Sequence, residues 1–387
     1  MISLAVFSIA HADEIQPFPI WLKALKLEAK QQNISSKTIT QTFKNAKFVT
    51  LVIALDRAQP EFITPFLTYV YARVTASKVQ QGRAMLQKHD ILLTEVEAKY
   101  GVPKYILLAF WGMETHYGNN QGDFSVPSSL MTLAYEGRRA EFFRAQLFDA
   151  MRVVDAGHSS VASLRGSWAG AIGHMQFMPS TLLKYGVDAD ADGHFNIKTS
   201  LPDAFATSAN YLANIGWRKN EPVALELKLP EGFDYAQAHL QNRKNSADWA
   251  QTGVLKIDGT PLPALENTAI ILPQGWQGPA FLVASNFDVM LEWNRSVNYA
   301  LSVSFLANQI LADKPILGGA KAERAGMSFH KMWAFQAKLN ELGYDCGAPD
   351  GFPGLKTQAA IRQYQTKQNL PQDGYASPSL YERLLPP

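Results

Sequence analysis

The chain has 387 residues, 47% of them hydrophobic and 18% charged, and its 36 basic and 34 acidic side chains leave a formal charge of +2. This is a globular profile with room for a large core and more than one domain, and the near-balanced charge lacks the basic footprint of a nucleic-acid binder. Cys346 stands alone, so no intramolecular disulfide can form, and nothing beside it reads as an activating base. No apolar run has the length needed to cross a membrane.

Ile2 to Ala10 form a short apolar run, and Ala10-His11-Ala12 ahead of Asp13 has the small-x-small pattern of an export cleavage site. A charged segment before the run is missing, so these residues also fit the start of a mature protein. No cysteine follows the cleavage-like site to carry a lipid. Residues 1–12 are therefore expected to be a signal-peptide remnant, and the mature chain to be exported, unanchored and periplasmic.

From Pro17 to Gly101 the period is helical. Ile20, Leu22 and Leu25 open one amphipathic segment, and Met85, Leu86, Leu92, Leu93 and Val96 line another that Gly101 caps. The next stretch, Pro103 to Gly118, is PKYILLAFWGMETHYG. Pro103 suits the start of a helix and Gly118 its end, while Leu107, Phe110 and Glu114 fall at i, i+3 and i+7 on one face. Glu114 thus shares a face with residues that should be buried. Against apolar walls the charged form of a carboxyl is disfavoured, which can raise its pKa from about 4.3 to about 6 and let it act as a general acid. The alternative is a helix-end residue that reaches water. Trp111, His116 and Tyr117 add flat amphipathic surface suited to sugars as well as to packing.

Gly137-Arg138-Arg139-Ala140-Glu141-Phe142-Phe143 begins a further helix whose arginines read as a solvated face or as a site for an acidic group. Leu164 to Gly186, LRGSWAGAIGHMQFMPSTLLKYG, is rich in glycines that allow close backbone approach, and Pro179 starts a helix that Gly186 ends. Ser167 and Gln176 lie there among small and apolar residues. They would face a ligand or hold a tightly packed corner together.

Asp188, Asp190, Asp192, Gly193, His194 and Asn196 follow with the alternating oxygen donors and central glycine of an EF-hand-type loop. The twelfth position is Thr199 where such a loop carries glutamate, and the nearest later carboxylate is Asp203. An acidic surface turn is the competing reading. Beyond Glu221 the period becomes two. Val223, Leu225, Leu227 and Leu229 read as a half-buried strand, and residues 269–272 and 280–283 as a hairpin about the Pro-Gln-Gly-Trp-Gln-Gly-Pro turn. Asn294 and Tyr299 are placed on a last helix that runs to about Leu311, and residues 316–326 have linker composition.

WGMETHYG, RRAEFF, SWAGAIGHMQFMPS and SANYLANIGW occur in the order and spacing that make residues 17–315 closely resemble the lytic murein transglycosylase B family. The resemblance implies a mainly α (α+β) architecture: a lysozyme-like helical catalytic domain over residues 13–315 with a small β-containing lobe. It further implies cleavage of peptidoglycan glycan between N-acetylmuramic acid and N-acetylglucosamine, with Glu114 as the single catalytic acid and no cofactor required for the chemistry. Ser167, Gln176 and Tyr211 match sugar-contacting positions. EWNRSVNYA resembles the cleft-lining segment and offers Asn294 and Tyr299 as further binding residues, with Trp293 where close relatives are expected to carry tyrosine. The family's longer calcium loop, closed by an aspartate, implies a structural Ca2+ held by Asp188, Asp190, Asp192 and Asp203, with His194 contributing its backbone carbonyl.

Residues 327–385 resemble a small three-helix peptidoglycan-binding domain through Leu339, Gly343, Asp350-Gly351, Gly354, Thr357, Ala360, Tyr364-Gln365 and Asp373-Gly374, with one extra residue in DGFPG. Such a module has little room for chemistry and would serve to concentrate substrate. A monomer acting on glycan strands is expected. Two other readings stand beside this one: a hydrolytic muramidase with Asp123, Glu136 or Asp149 as second carboxylate, and a non-catalytic peptidoglycan-binding scaffold.

Overall fold

The computed structural model describes residues 16–57, 64–137 and 139–386. The export-signal reading of residues 1–12 lies outside them. Helices α1 (Phe18–Gln31), α2 (Ser36–Lys44), α3 (Thr50–Arg57), α4 (Phe66–Arg73), α5 (Ala76–Lys88) and α6 (Asp90–Tyr100) lead to α7 (Lys104–Thr115). The strands β1 (Phe124–Ser125) and β2 (Arg165–Gly166) bracket α8 (Val126–Glu136) and α9 (Ala140–Asp155), and α10 (Pro179–Tyr185) and α11 (Leu201–Asn214) follow. Next come β3 (Ala224–Lys228), α12 (Ser246–Gln251), β4 (Leu255–Lys256), β5 (Ala269–Ile271) and β6 (Ala280–Val283), then α13 (Ser285–Trp293) and α14 (Val297–Ala312). Finally come α15 (Phe329–Glu341), α16 (Leu355–Lys367) and α17 (Pro378–Leu384). The expected mainly helical class with a small sheet is the one these residues adopt.

The described residues form two compact units, one taking residues up to 56 with 122–172 and 178–184, the other taking the rest. In the first, α8 packs along α9, and Phe18, Trp21, Phe48 and Tyr135 gather edge-on and stacked, with centroids between 5.2 and 5.8 Å apart. Arg139 does not stand free on a solvated face: its guanidinium meets the buried Asp56 carboxylate at 2.6 Å. The glycine-rich corner is closed by its own backbone. Ser167 N donates to Ala171 O at 2.8 Å, and Ala171 N donates to Ser167 Oγ at 3.0 Å. Gly166 is required because a Cβ there would overlap the Ala171 carbonyl.

In the second unit α7 is buried on nearly every side, from Ile106 through Gly112, as its unbroken apolar run requires. It packs against α5, α6, α11 and α14. Gly112 lets the Tyr117 ring close over the helix, where a Cβ would come within 2.7 Å of the ring. The sheet has the order β4-β3-β6-β5, all antiparallel, with Ala269 facing Val283 and Ile271 facing Phe281 across the expected hairpin. Leu227, Trp249, Val254, Ile270 and Leu282 fill the core beneath it.

The last three helices share a separate apolar core built on Met332, Phe335, Leu339, Ile361 and Leu380. Its two Asp-Gly turns are each held by a buried glutamine. Gln336 donates to Asp350 Oδ1 and Thr357 Oγ1 and accepts from the backbone of Asp350 and Gly351. Gln365 donates to Asp373 Oδ1 and accepts from Gly374 N. These motif residues therefore serve the fold of the module. Asp373 Oδ2 also accepts from Trp276 N at 2.8 Å, and Ser379 binds the Glu323 carboxylate through both N and Oγ. Burial pushes the Asp373 carboxyl up from its ordinary value, against the donors that surround it. The module is thus bonded to the β5–β6 turn.

Candidate active site

Glu114 sits one residue before the end of α7, half-buried, one turn beyond the fully buried Phe110 on the same face. Its Oε1 accepts from Trp293 Nε1 at 2.9 Å and from the Tyr299 hydroxyl in a short bond. The alternating face read in the sequence is therefore the face on which the carboxyl lies, and ring donors hold it there.

Helix α7 ends earlier than Gly118. His116 and Tyr117 both adopt left-handed backbone, at φ +53° and +57°, and Tyr117 N returns to Trp111 O. Thr115 explains the early end: its Oγ1 donates to His174 O at 2.7 Å and accepts from Gly118 N at 3.0 Å, pinning the turn from the side. Left-handed non-glycine residues cost on the order of 1 kcal/mol or more each and gather where function demands a fixed geometry. Gln176, at φ +52°, is a third such residue. His174 is held below its ordinary pKa by burial and accepts from Trp111 Nε1 at 3.0 Å through Nδ1, so it braces α7 as a neutral ring.

Gln176 Nε2 donates to the carbonyls of Gln121 and Gly173, at 3.1 and 2.9 Å, which folds its amide over the 173–176 turn. Tyr211 on α11 joins an aromatic wall with Phe177, Tyr185 and Trp293, centroids 5.0 to 5.9 Å apart. Burial, with Glu292 and Tyr185 nearby, pushes its hydroxyl up to about 12, so it stays a neutral donor near neutrality. Asn294 is not on the last helix. It takes extended backbone at the end of α13, and its Oδ1 accepts from Ser296 N at 3.1 Å. Ser296 then caps α14 by accepting from Tyr299 N, which sets Tyr299 in the first turn with its ring toward Glu114. An asparagine beside a serine N-cap is the signal that could have placed this break. Phe177, missed in the sequence, enters through the same motif as Gln176.

Ser167 belongs to the first unit, half-buried in the corner described above. Asp123 there pairs with Arg165, and Asp149 with Arg152 at 2.7 Å. Glu136 is the last residue of α8.

In the acidic loop, Asp188, Asp190 and Asp203 bring carboxylate oxygens within 4.8 Å of one another. Asp203 is fully buried and accepts from Ala189 N and Asn196 N; Asp188 accepts from Asp192 N and Gly193 N. Asp192 lies outside this trio and accepts from His194 N. Three converging hard oxygen ligands, one on a buried residue, fit a cation of the calcium type.

The fold, with one carboxyl at the end of a buried helix, an aromatic wall and a small sheet, is of the lysozyme-like transglycosylase class. The chain belongs to the transglycosylase SLT domain family, whose profile matches residues 17–308, and a second profile, for a peptidoglycan binding domain, matches residues 333–384. It is 31% identical over 252 residues to the membrane-bound lytic murein transglycosylase B of Escherichia coli (strain K12), a match covering 62% of this chain and 65% of that relative. The matched region therefore spans just under two thirds of the relative's length. SltB3 from Pseudomonas aeruginosa, solved in complex with NAG-anhNAM-pentapeptide, is 40% identical with a TM-score of 0.91, over 95% of this chain and 99% of that one. The Escherichia coli lytic transglycosylase Slt35, solved in complex with calcium, is 26% identical with a TM-score of 0.65, over 76% and 93%. Among the described residues no helix is long and apolar enough to cross a membrane.

Proposed function

We propose that this chain is a lytic transglycosylase that cleaves the bond between N-acetylmuramic acid and N-acetylglucosamine in peptidoglycan and leaves a 1,6-anhydromuramic end. The observation that carries this reading is the carboxyl of Glu114, half-buried at the end of a buried helix and held by the ring donors of Trp293 and Tyr299. Glu114 gives its proton to the glycosidic oxygen as the bond from the muramic C1 to that oxygen breaks. The muramic 2-acetamido group supports the cation that develops at C1. Glu114, now ionised, takes the proton from the muramic 6-hydroxyl while that oxygen closes on C1, so the enzyme ends protonated and no water is consumed. Ser167, Gln176, Tyr211, Asn294 and Tyr299 bind the sugars. Residues 13–315 form the catalytic domain, 316–326 a linker and 327–385 the peptidoglycan-binding module. The protein works in the periplasm.

Mass spectrometry of the fragments released from purified peptidoglycan tests the reaction. Anhydro ends are expected as the main product. Reducing muramic ends, heavier by one water, would make the enzyme a muramidase.

The acidic loop adds a structural role. Asp188, Asp190 and Asp203, with Asp192 and the His194 carbonyl, hold Ca2+ and tie the start of α11 to the preceding loop, and the ion takes no part in the bond cleavage. At a calcium concentration about a hundredfold above its dissociation constant, mass action stabilises the fold by about 2.7 kcal/mol, a rise of several degrees in Tm. Asp190→Ala, at an exposed position, should cancel the rise without unfolding the chain. A melting curve indifferent to millimolar calcium would return the loop to a surface turn.

A further inference from the structure

Trp293, which donates to Glu114, is itself held from several sides. Its indole stacks on Phe110, centroids 4.1 Å apart and planes 29° apart, with Phe177 at 5.0 Å and Tyr211 at 5.6 Å. Phe110 is fully buried one turn before Glu114 on α7. The indole N–H that donates to Glu114 Oε1 is therefore fixed in direction by packed rings. The Tyr299 hydroxyl donates to the same oxygen.

Two ring donors on one carboxyl oxygen fix how that carboxyl is turned. The geometry points to Trp293 as a positioning residue of the reaction: its N–H, held in direction by Phe110, and the Tyr299 hydroxyl anchor Oε1 and so set the orientation of the Glu114 carboxyl before substrate arrives. This rests on the reading of Glu114 as the acid and base.

Such a residue affects the chemical step more than binding. Its donor also favours the ionised carboxyl, so its loss should let the protonated acid persist to higher pH. On the elements packed about α7, α5 carries Lys78, Arg83 and Lys88, α6 carries Asp90, Glu95, Glu97, Lys99 and Tyr100, α11 carries Asp203 and Tyr211, and α14 carries Tyr299. Of these Tyr299 touches the carboxyl, and Tyr211, with Glu292 near it, stands against Trp293. His174 is neutral through burial, and burial also lowers Lys78 on α5 and His89 just ahead of α6.

Trp293→Phe in the full chain keeps an aromatic ring against Phe110 and removes the N–H together with part of the indole. Relative to wild type on soluble glycan fragments, kcat is expected to fall about tenfold with KM within about twofold. The alkaline limb of the pH–rate profile should move up by about half a unit. An unmoved limb, or a loss carried by KM alone, overturns the proposal. Should the Phe variant fail to fold, the wild-type chain provides a second measurement through its eight tryptophans. One indole N–H resonance must follow the alkaline limb on titration and cease to do so in Glu114→Gln; eight pH-independent resonances overturn the proposal. Glu114→Gln also separates the two readings, because an active Gln variant removes Glu114 as the acid, whereas an inactive one beside an unaltered Trp293→Phe removes only the role of Trp293.

Discussion

Glu114→Gln is expected to cost at least about a hundredfold in turnover on peptidoglycan while the protein keeps its fold, because the amide preserves shape and cannot transfer the proton. The structure gives a reason for the fold to survive. The side-chain amide still offers an oxygen in place of Oε1 to the indole of Trp293 and the hydroxyl of Tyr299, and the helix around it is buried through Phe110, Trp111 and Thr115. Rates on soluble glycan fragments, read beside a thermal melt of the same sample, check both halves. A folded Gln variant that turns over at near wild-type rate would remove Glu114 from the chemistry.

How much of this site could be read from the chain alone follows the range of the interactions involved. The burial of Glu114 was legible because helical period is a local property, and Leu107, Phe110 and Glu114 keep it. The β5–β6 hairpin was legible for the same reason, its turn chemistry lying between two short apolar runs. The end of α7 was not, since Gly118 looks like the cap and only the Thr115 contact with His174, 59 residues on, moves it back to His116. Likewise Asn294 looked helical by position, and its side chain instead starts a turn that a serine cap completes.

The sheet order shows the same limit at longer range. β3 pairs with β6 across more than fifty residues, a choice made by burial and not by local pattern. The indole donor at Glu114 is the sharpest case. A tryptophan where tyrosine was expected keeps the stacking surface, and only the three-dimensional pairing with Phe110 shows that it also keeps a hydrogen bond to the carboxyl. The Asp-Gly pairs of the C-terminal module, read as family markers, turned out to be held by Gln336 and Gln365 inside the fold.

That module carries the last expected result. Deleting residues 327–385 should weaken binding to insoluble peptidoglycan about tenfold or more, and leave cleavage of short soluble fragments within about threefold, because a second binding module raises effective concentration without entering the chemical step. The structure sharpens how the cut must be read. Trp276 N loses the Asp373 carboxylate as acceptor, and Glu323 loses Ser379, so a modest drop in Tm is expected from newly unpartnered groups on the β5–β6 turn and its neighbour. The comparison is therefore made at a temperature where the truncated chain is fully folded. Sedimentation with insoluble peptidoglycan and the fragment rates together decide the matter. Loss of both in a folded truncated chain would mean that the module forms part of the site where the glycan is cut, and anhydro ends released by full-length and truncated protein alike would leave the catalytic role with residues 13–315.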